Sequence, residues 1–437
     1  MMYASIGSRP DLKLCDGARA SRLTFTLLAL LAIAVPDHGR AQQGPVLTLG
    51  EAQDIALVSE PGQRALRDRA RAREASAVAV GELPAPTLRA GVNNFPIESG
   101  GFSTEGMTNA GITFRQSMPR GKTRELSTAL HKRQALSLDQ GADARSRDVG
   151  QWVSEAWLDV FYWSRVEELL TTSRPFFEDL VDTTRSLYSV GRKSQQDVLR
   201  SELELSRLDD RLIDVSRAEA QARAGLARWI DDAAYRSLPS SLPAIESLPS
   251  LKELEENLAA HPALKAADAS VAAADIATQL AEQKSKPSWA VDVGYSYRDG
   301  SLPSGNPRSD FVTLGVTVDL PFFRKRSVDS DLLAAVSNRS AEQAEREHLR
   351  RQLRSTLASE HARFTDLSRR LELYSNRILE QSGASAEAAM LAYQSDTADF
   401  SDVMRAYIDE LDTRVEFVRL EVERARSRAS ITNLGGE

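Results

Sequence analysis

Residues 188–203 read YSVGRKSQQDVLRSEL, and residues 393–408 read YQSDTADFSDVMRAYI. Each stretch interrupts a tract whose apolar residues recur at helical spacing, and the two interruptions align. Tyr393 answers Tyr188 at an offset of 205, and Asp402-Val403-Met404-Arg405 answers Asp197-Val198-Leu199-Arg200. In the first copy Gly191 turns the chain, Tyr188 packs the turn, and Asp197-Val198-Leu199 opens a returning helix. The second copy has Asp396 where the first has glycine, and it carries more acid. Two hairpin tips are therefore expected, one in each half of the chain.

Working outward from the tips, the rest of the chain is also written twice. Pro262 matches Pro61 at an offset of 201, and Pro321 matches Pro119 at 202. Offsets that drift by so little over a whole round are the signature of an internal repeat. The first round covers 42–236 and the second 251–437, joined by the Pro/Ser linker SLPSSLPAIESLPS at 237–250. Each round is expected to run helix, strand, strand, long helix and returning helix, with strands near 86–95, 109–118, 288–298 and 310–320.

The strands alternate with a period of two. In SWAVDVGYSYR, Trp289, Val291, Val293, Tyr295 and Tyr297 share one face, with Ala290, Asp292, Gly294, Ser296 and Arg298 on the other. In FVTLGVTVDLP, Val312, Leu314, Val316, Val318 and Leu320 oppose Thr313, Gly315, Thr317 and Asp319. The first round repeats the pattern more weakly. Strands of about ten residues, apolar on one side and small or charged on the other, fit a membrane barrel with a wet lumen. They fit equally well a sheet packed on helices.

The helical tracts favour the barrel. Lys122–Ser189 contains one proline, Pro175, and Lys325–Gln394 contains none. At about 1.5 Å per residue each makes a rod on the order of 100 Å. Apolar residues recur every three or four positions: Val149, Val153, Ala156, Val160, Trp163, Val166 and Leu170, then Leu349, Leu353, Leu357, Phe364, Leu367, Leu371, Tyr374 and Ile378. Such seams need neighbouring helices along their whole length. The expected fold is mainly α with a small β part. Four strands cannot close a barrel, and open edges in lipid leave backbone groups unsatisfied. The barrel must be shared between chains: two chains give eight strands with a side-chain-filled interior, three give twelve around a water-filled duct, and the wet-face side chains favour the larger count. The lipid-facing set is then Trp289, Val291, Val293, Tyr295, Val312, Leu314, Val316 and Val318.

Composition removes other classes. The 437 residues carry a net charge of −7, with both signs interspersed and 27% of residues charged, which is no nucleic-acid footprint. Aromatics make up only 6%, thin for several compact cores, whereas long packed helices suit this usage. Arg19 and Arg22 precede the apolar run LTFTLLALLAIAV, and Gly39-Arg40-Ala41 offers a cleavage site, so residues 1–41 read as an export signal and Gln42 as the mature start. Cys15, the one cysteine, lies before that run, where it cannot serve as a lipoprotein cysteine. No later stretch is long and apolar enough for a transmembrane helix.

The two tip motifs, the strand-to-helix junctions MPRGK and LPFFRK, and the order of elements together resemble the TolC family of outer-membrane efflux ducts, from about Leu47 to Asn433. The resemblance implies a homotrimer: a twelve-stranded barrel in the outer membrane of a Gram-negative bacterium, above a long α-helical tunnel in the periplasm. It also implies two partners, a periplasmic adaptor and an inner-membrane pump. The stretches GVNNFPIE and GMTNAGITFRQSMPRGK are similar to the CzcC-like branch, which serves heavy-metal exporters. In the family the tips form a periplasmic mouth that closes like an iris. Asp402 matches the position where an aspartate of each chain lines the narrowest ring, and the family's second aspartate falls on Arg405. Asp396 and Asp399 make the second tip acidic, Arg192 and Lys193 make the first basic, and Asp197 opens its return helix. Cross-tip pairs are expected to hold the mouth closed.

No catalytic, cofactor or metal constellation is present in the sequence: there is no phosphate loop, no HExxH and no nucleophile elbow. His131, His261, His348 and His361 show no metal-ligand spacing and read as helix-surface residues. The carboxylates sit among Arg and Lys on solvated helix faces. Two rivals remain. A periplasmic adaptor would carry one hairpin flanked by many strands, and a coiled-coil scaffold would need no strands.

Overall fold

The computed structural model describes residues 46–243 and 248–435; the export signal expected at 1–41 lies outside them. The elements run in two rounds of the same order. The first comprises α1 (Leu49–Ser59), α2 (Pro61–Gly81), β1 (Thr87–Asn93), β2 (Asn109–Met118), α3 (Thr123–Ser189) and α4 (Gln195–Ile230). The second comprises α5 (Leu251–Leu258), α6 (Pro262–Gln283), β3 (Ser288–Tyr297), β4 (Phe311–Asp319), α7 (Lys325–Leu373), α8 (Leu379–Gln394) and α9 (Phe400–Leu434). Short 3-10 turns occupy Asp231–Tyr235 and Pro321–Arg324.

Local chemistry sets the breaks. Pro61 and Pro262 each stand at the first position of a helix, where a missing N–H costs nothing. Thr48, Glu60, Ser194 and Ser250 cap helix starts through their side chains. Pro175 lies inside α3 without ending it. The proline-free rod of the second round is the less regular one. A π-helical turn at Tyr374–Ile378 separates α7 from α8, so the four-residue spacing read between those two residues spans a widened turn. Such a turn lets a long seam absorb an extra residue without losing its packing face.

The seams are buried as their spacing requires. Val149, Val153, Trp157, Leu158, Val160 and Phe161 of α3 meet Ala52 and Ala56 of α1 and Leu226 and Ile230 of α4. Further along the same rod, Val166, Leu170, Phe177 and Leu180 pack with Leu208 and Val215 of α4 and with Val403, Met404 and Leu411 of α9. In the second round, Leu357 and Phe364 of α7 close on Leu254, Leu258 and Leu264 and on Ile431 and Leu434 of α9. Leu238 and Leu242 of the Pro/Ser stretch also lean on the first core. Ion pairs stitch the polar faces, for example Arg174–Asp209 at 2.7 Å and Arg211–Asp412 at 2.7 Å. Exposed pairs of this kind contribute little individually, because water screens them and ordering two long side chains costs entropy.

His261 departs from the surface position expected of it. It is buried and caps α6, its Nδ1 accepting from Ala263 N–H at 3.2 Å. Burial, reinforced by nearby Arg147, holds its pKa below the usual histidine value, while Asp148 on the same helix pulls the other way and Asn433 of α9 approaches it through the backbone. The ring is therefore kept neutral. A base whose pKa is depressed by folding stabilises the fold above its unfolded pKa and loses that contribution as pH falls. From about pH 7.5 to about pH 5, the melting temperature of the wild-type chain is expected to fall further than that of His261→Asn, which caps without titrating. Equal slopes in calorimetry would remove His261 from the acid response.

Candidate functional site

Two regions carry the expected functional residues, and the length of α3 separates them. The sheet runs directly into α3 at one end, and the first tip closes α3 67 residues later, roughly 100 Å away.

At the tips the two copies use the same backbone device. Gly191 N–H donates to Tyr188 O (2.9 Å) and Arg192 N–H to Leu187 O (3.0 Å); Asp396 N–H donates to Tyr393 O (3.1 Å) and Thr397 N–H to Ala392 O (2.9 Å). This crossed pair ends a helix by sending one residue into the left-handed region, usually glycine. That residue is Gly191 (φ 75°) in the first tip and Asp396 (φ 66°) in the second. An aspartate tolerates this conformation at a cost that glycine avoids.

Asp396 has an occupation that glycine could not fill. Lys193 Nζ lies 2.5 Å from Asp396 Oδ1 and 4.4 Å from the centre of the Tyr393 ring. The hydrogen bond to Asp396 raises the Lys193 pKa, and the same contact holds the Asp396 carboxyl below its usual range. The pair therefore stays charged down into the acid range. Beneath it Tyr393 is buried and meets Phe400 edge-on at 5.8 Å. The expected packing role of Tyr188 is corrected here: Tyr188 is exposed, and Tyr393 is the ring that seals a turn. Tyr393 belongs to the apolar cluster of Phe177, Leu180, Phe400 and Val403, with Lys193 over its ring, whereas Tyr188 belongs to no such cluster among the described residues.

The other tip residues have more local roles. Asp197 forms a reciprocal capping box with Ser194 at the start of α4. Asp399 stands at the N-cap of α9 without a side-chain capping bond. Asp402 lies 3.5 Å from Arg405, one turn along the same helix, and both are exposed. Arg192 makes no ion pair among the described residues, although its charge helps to depress the Asp396 carboxyl. Lys193 and Asp396 are therefore the cross-tip pair that this chain brings together, and they join the two tips of one protomer.

At the other end, four antiparallel strands lie in the order β1-β2-β3-β4. The β2–β3 pairing joins the two rounds. The register aligns rows across the sheet. Leu88, Phe114, Val293 and Leu314 form one row; Ala90, Ile112, Tyr295 and Val312 form the next. Trp289 with Val318, and Val291 with Val316, extend the same face. The opposite face carries Thr113, Gly294 and Thr313, and an Arg115–Asp292 pair at 2.6 Å with Thr317 bonded to both. No helix of the chain lies across either face among the described residues. Leu314 is 77% exposed and Val312, Val316 and Val318 stand open beside it. The alternative of a sheet packed on helices is therefore excluded within this chain. Among the described residues, β1 and β4 have no partner on their outer sides.

This is the fold of the outer-membrane efflux channels. The outer-membrane channel OprN is 18% identical over 89% of this chain and 90% of its own, with a TM-score of 0.75. CusC, whose structures concern folding and transmembrane channel formation, is 15% identical over 89% of this chain and 92% of its own, at 0.74. The outer membrane protein VceC of Vibrio cholerae is 15% identical over 89% and 96%, at 0.73. Residues 254–437, most of the second round, match the protein family described as Outer membrane efflux protein. No curated protein matches the sequence.

Among the described residues, no helix is long and apolar enough to cross a membrane. The exposed apolar rows are on strands. Among the same residues no cluster of three or more His, Cys, Asp or Glu is placed to hold a metal ion. A cavity of about 1000 Å³ opens between α1, the middle of α3 and the end of α9, lined by Gln53, Arg147, Gln151 and Asn433 among others. It lies far from the tips and the sheet and brings no reactive group together.

Proposed function

We propose that this chain is one protomer of a trimeric outer-membrane channel that conducts cargo from the periplasm to the outside, working with a periplasmic adaptor and an inner-membrane pump. The observation that carries the reading is the bare apolar sheet with two free edges at the end of 100 Å rods. A four-stranded sheet with such a face is untenable in water as it stands. Three copies pairing edge to edge make twelve strands, which places the apolar rows against lipid and the Arg115–Asp292–Thr317 face in a wet lumen. The rival readings, an adaptor or a coiled-coil scaffold, leave that face without a purpose. Fractionation with unheated gel electrophoresis tests the proposal. A heat-modifiable trimer in the outer membrane supports it; a soluble monomer ends it.

The cargo reading rests on the likeness of the first strand pair to the CzcC-like branch, which makes heavy-metal ions the first class to test. A deletion strain should gain sensitivity to divalent metal salts, and sensitivity to apolar drugs alone would shift the cargo away from metals.

The tips are the gate in this reading. Lys193 and Asp396 clip the two tips of each protomer together, and Asp402 contributes a ring of three carboxylates tempered by Arg405. Each exposed pair alone contributes little, but a threefold set biases a two-state mouth. Lys193→Met trimers in planar bilayers are expected to open more often than wild type, and Asp402→Ala trimers to lose cation preference. Unchanged gating and selectivity in both would remove the tips from control of the pore.

A further inference from the structure

The strand-to-helix junctions of the two rounds differ in a way that the channel reading does not use. In the first round, Arg120 pairs with Asp319, and Arg124 donates to Gly81 O at 2.6 Å. These two cations are consumed within the chain, so that Lys122 is the one exposed cation of that junction without an ion pair among the described residues. In the second round, Phe323-Arg324-Lys325-Arg326 begins four residues after the end of β4, across the 3-10 turn, and all four residues are exposed, Phe323 at 95%. None of the three cationic side chains makes an ion pair or hydrogen bond among the described residues. The acids nearby are largely spoken for: Asp319 pairs with Arg120 and Asp331 with Lys284, leaving Asp329 alone on the same helix.

We propose that Phe323, Arg324, Lys325 and Arg326 form a docking site for anionic phospholipid headgroups at the periplasmic rim of the sheet. The inference rests on the channel reading, since that reading places this rim at the membrane boundary. Two observations carry it. First, exposed apolar side chains run along the sequence up to the site: Val318, paired with the exposed Trp289, then Leu320, then Phe323 in the 3-10 turn. An aromatic residue followed by cations is the order in which a membrane interface is met on leaving hydrocarbon. Second, three adjacent cations without acidic partners are complementary to a negative surface, and each Lys or Arg near such a surface strengthens binding by about fivefold. A second copy of the chain is the competing occupant. Next to its free β1 edge it brings two exposed acids, Glu82 and, in the first turn of the α3 that Arg124 ties to Gly81, Glu125, fewer than the three cations.

Trp289 supplies the readout. The other four tryptophans, Trp152, Trp157, Trp163 and Trp229, lie on α3 and α4, and those on α3 begin about 40 Å along the rod from the sheet. The full chain is reconstituted in phosphatidylcholine, and brominated phosphatidylglycerol or brominated phosphatidylcholine is titrated in to quench Trp289. Wild type is expected to prefer the anionic lipid by on the order of tenfold or more, with the preference shrinking in high salt. Arg324→Gln/Lys325→Gln/Arg326→Gln is expected to lose the preference while keeping the heat-modifiable trimer. Phe323→Ala is expected to keep the charge preference with weaker quenching by both lipids. Equal quenching by the two lipids in wild type, or a preference that survives the triple change, overturns the headgroup site. Loss of the trimer in the triple variant, with no lipid preference in wild type, overturns it in favour of a subunit contact. Absence of quenching by either lipid in wild type overturns the channel reading itself, which keeps the two failures apart.

Discussion

Leu314→Arg is expected to abolish the heat-modifiable trimer, whereas Thr313→Arg, one residue away, leaves it in place. The two positions sit on opposite faces of β4, paired with Val293 and Gly294 of β3. Leu314 stands in the middle of the apolar rows and is among the most exposed side chains of the sheet. On a lipid-facing strand an arginine near the midplane costs about 2–4 kcal/mol, and three copies in one barrel compound the loss. On the opposite face, the lumen side of the proposed channel, the same side chain would meet water, and Thr113, Asp292 and Thr317 lie close by, so the cost is small. Outer-membrane yield and migration of unheated samples read the difference. If both variants assemble equally, the apolar rows do not face lipid. If both fail, the sheet tolerates no charge on either side and the lumen assignment is wrong.

Trp157→Ala is expected to be the most damaging single truncation in the helical part, at about 3–5 kcal/mol per chain. Trp157 is fully buried at the meeting of α1, α3 and the end of α4, stacked on Phe161 at 5.6 Å. Its Nε1 donates to Leu47 O at 3.1 Å, while Leu47 N–H donates to Ser237 O at 2.8 Å. The indole thus ties the stretch ahead of α1 to the linker that follows the first round. Trp157→Phe keeps most of the volume and strands one buried carbonyl, a loss of about 1–3 kcal/mol. Melting of the purified protein should rank wild type, Trp157→Phe and Trp157→Ala in that order. A Trp157→Ala protein that melts within about a degree of wild type would mean that this cluster does not hold the rods together.

The tips show how far a motif carries. The alignment of residues 188–203 with 393–408 placed two chain reversals, and both exist with the same crossed hydrogen bonds. It also marked Asp396 as standing where glycine stands in the first tip, which is the left-handed position in the structure. The alignment chose the wrong tyrosine, however, because packing of a ring is decided by what lies across from it. Across from Tyr393 lie the apolar side chains of α3 and α9, and Lys193, 203 positions away from Asp396, closes over the ring. His261 failed for a related reason. A Pro at the first helical position is visible in the sequence, but nothing local says that α3 and the end of α9 will close over the residue before it.

What the sequence by itself determined is the set of local periodicities: apolar residues every three or four positions for the rods, alternate residues for the strands, and the mainly α fold with four strands that follows from them. These are legible because backbone geometry repeats over a few residues, so each helix or strand face is written in consecutive text. Only the tertiary structure decided which of those faces stay bare. The alternation of β3 and β4 is the same for a sheet under helices as for a sheet in lipid. The choice depends on where α3 and α7 travel after the junctions, and they run away from the sheet rather than across it. Burial and ion pairing belong to segments hundreds of residues apart, which is why the naked apolar rows, the Lys193–Asp396 clip and the unpaired cations beyond β4 came into view only with the fold.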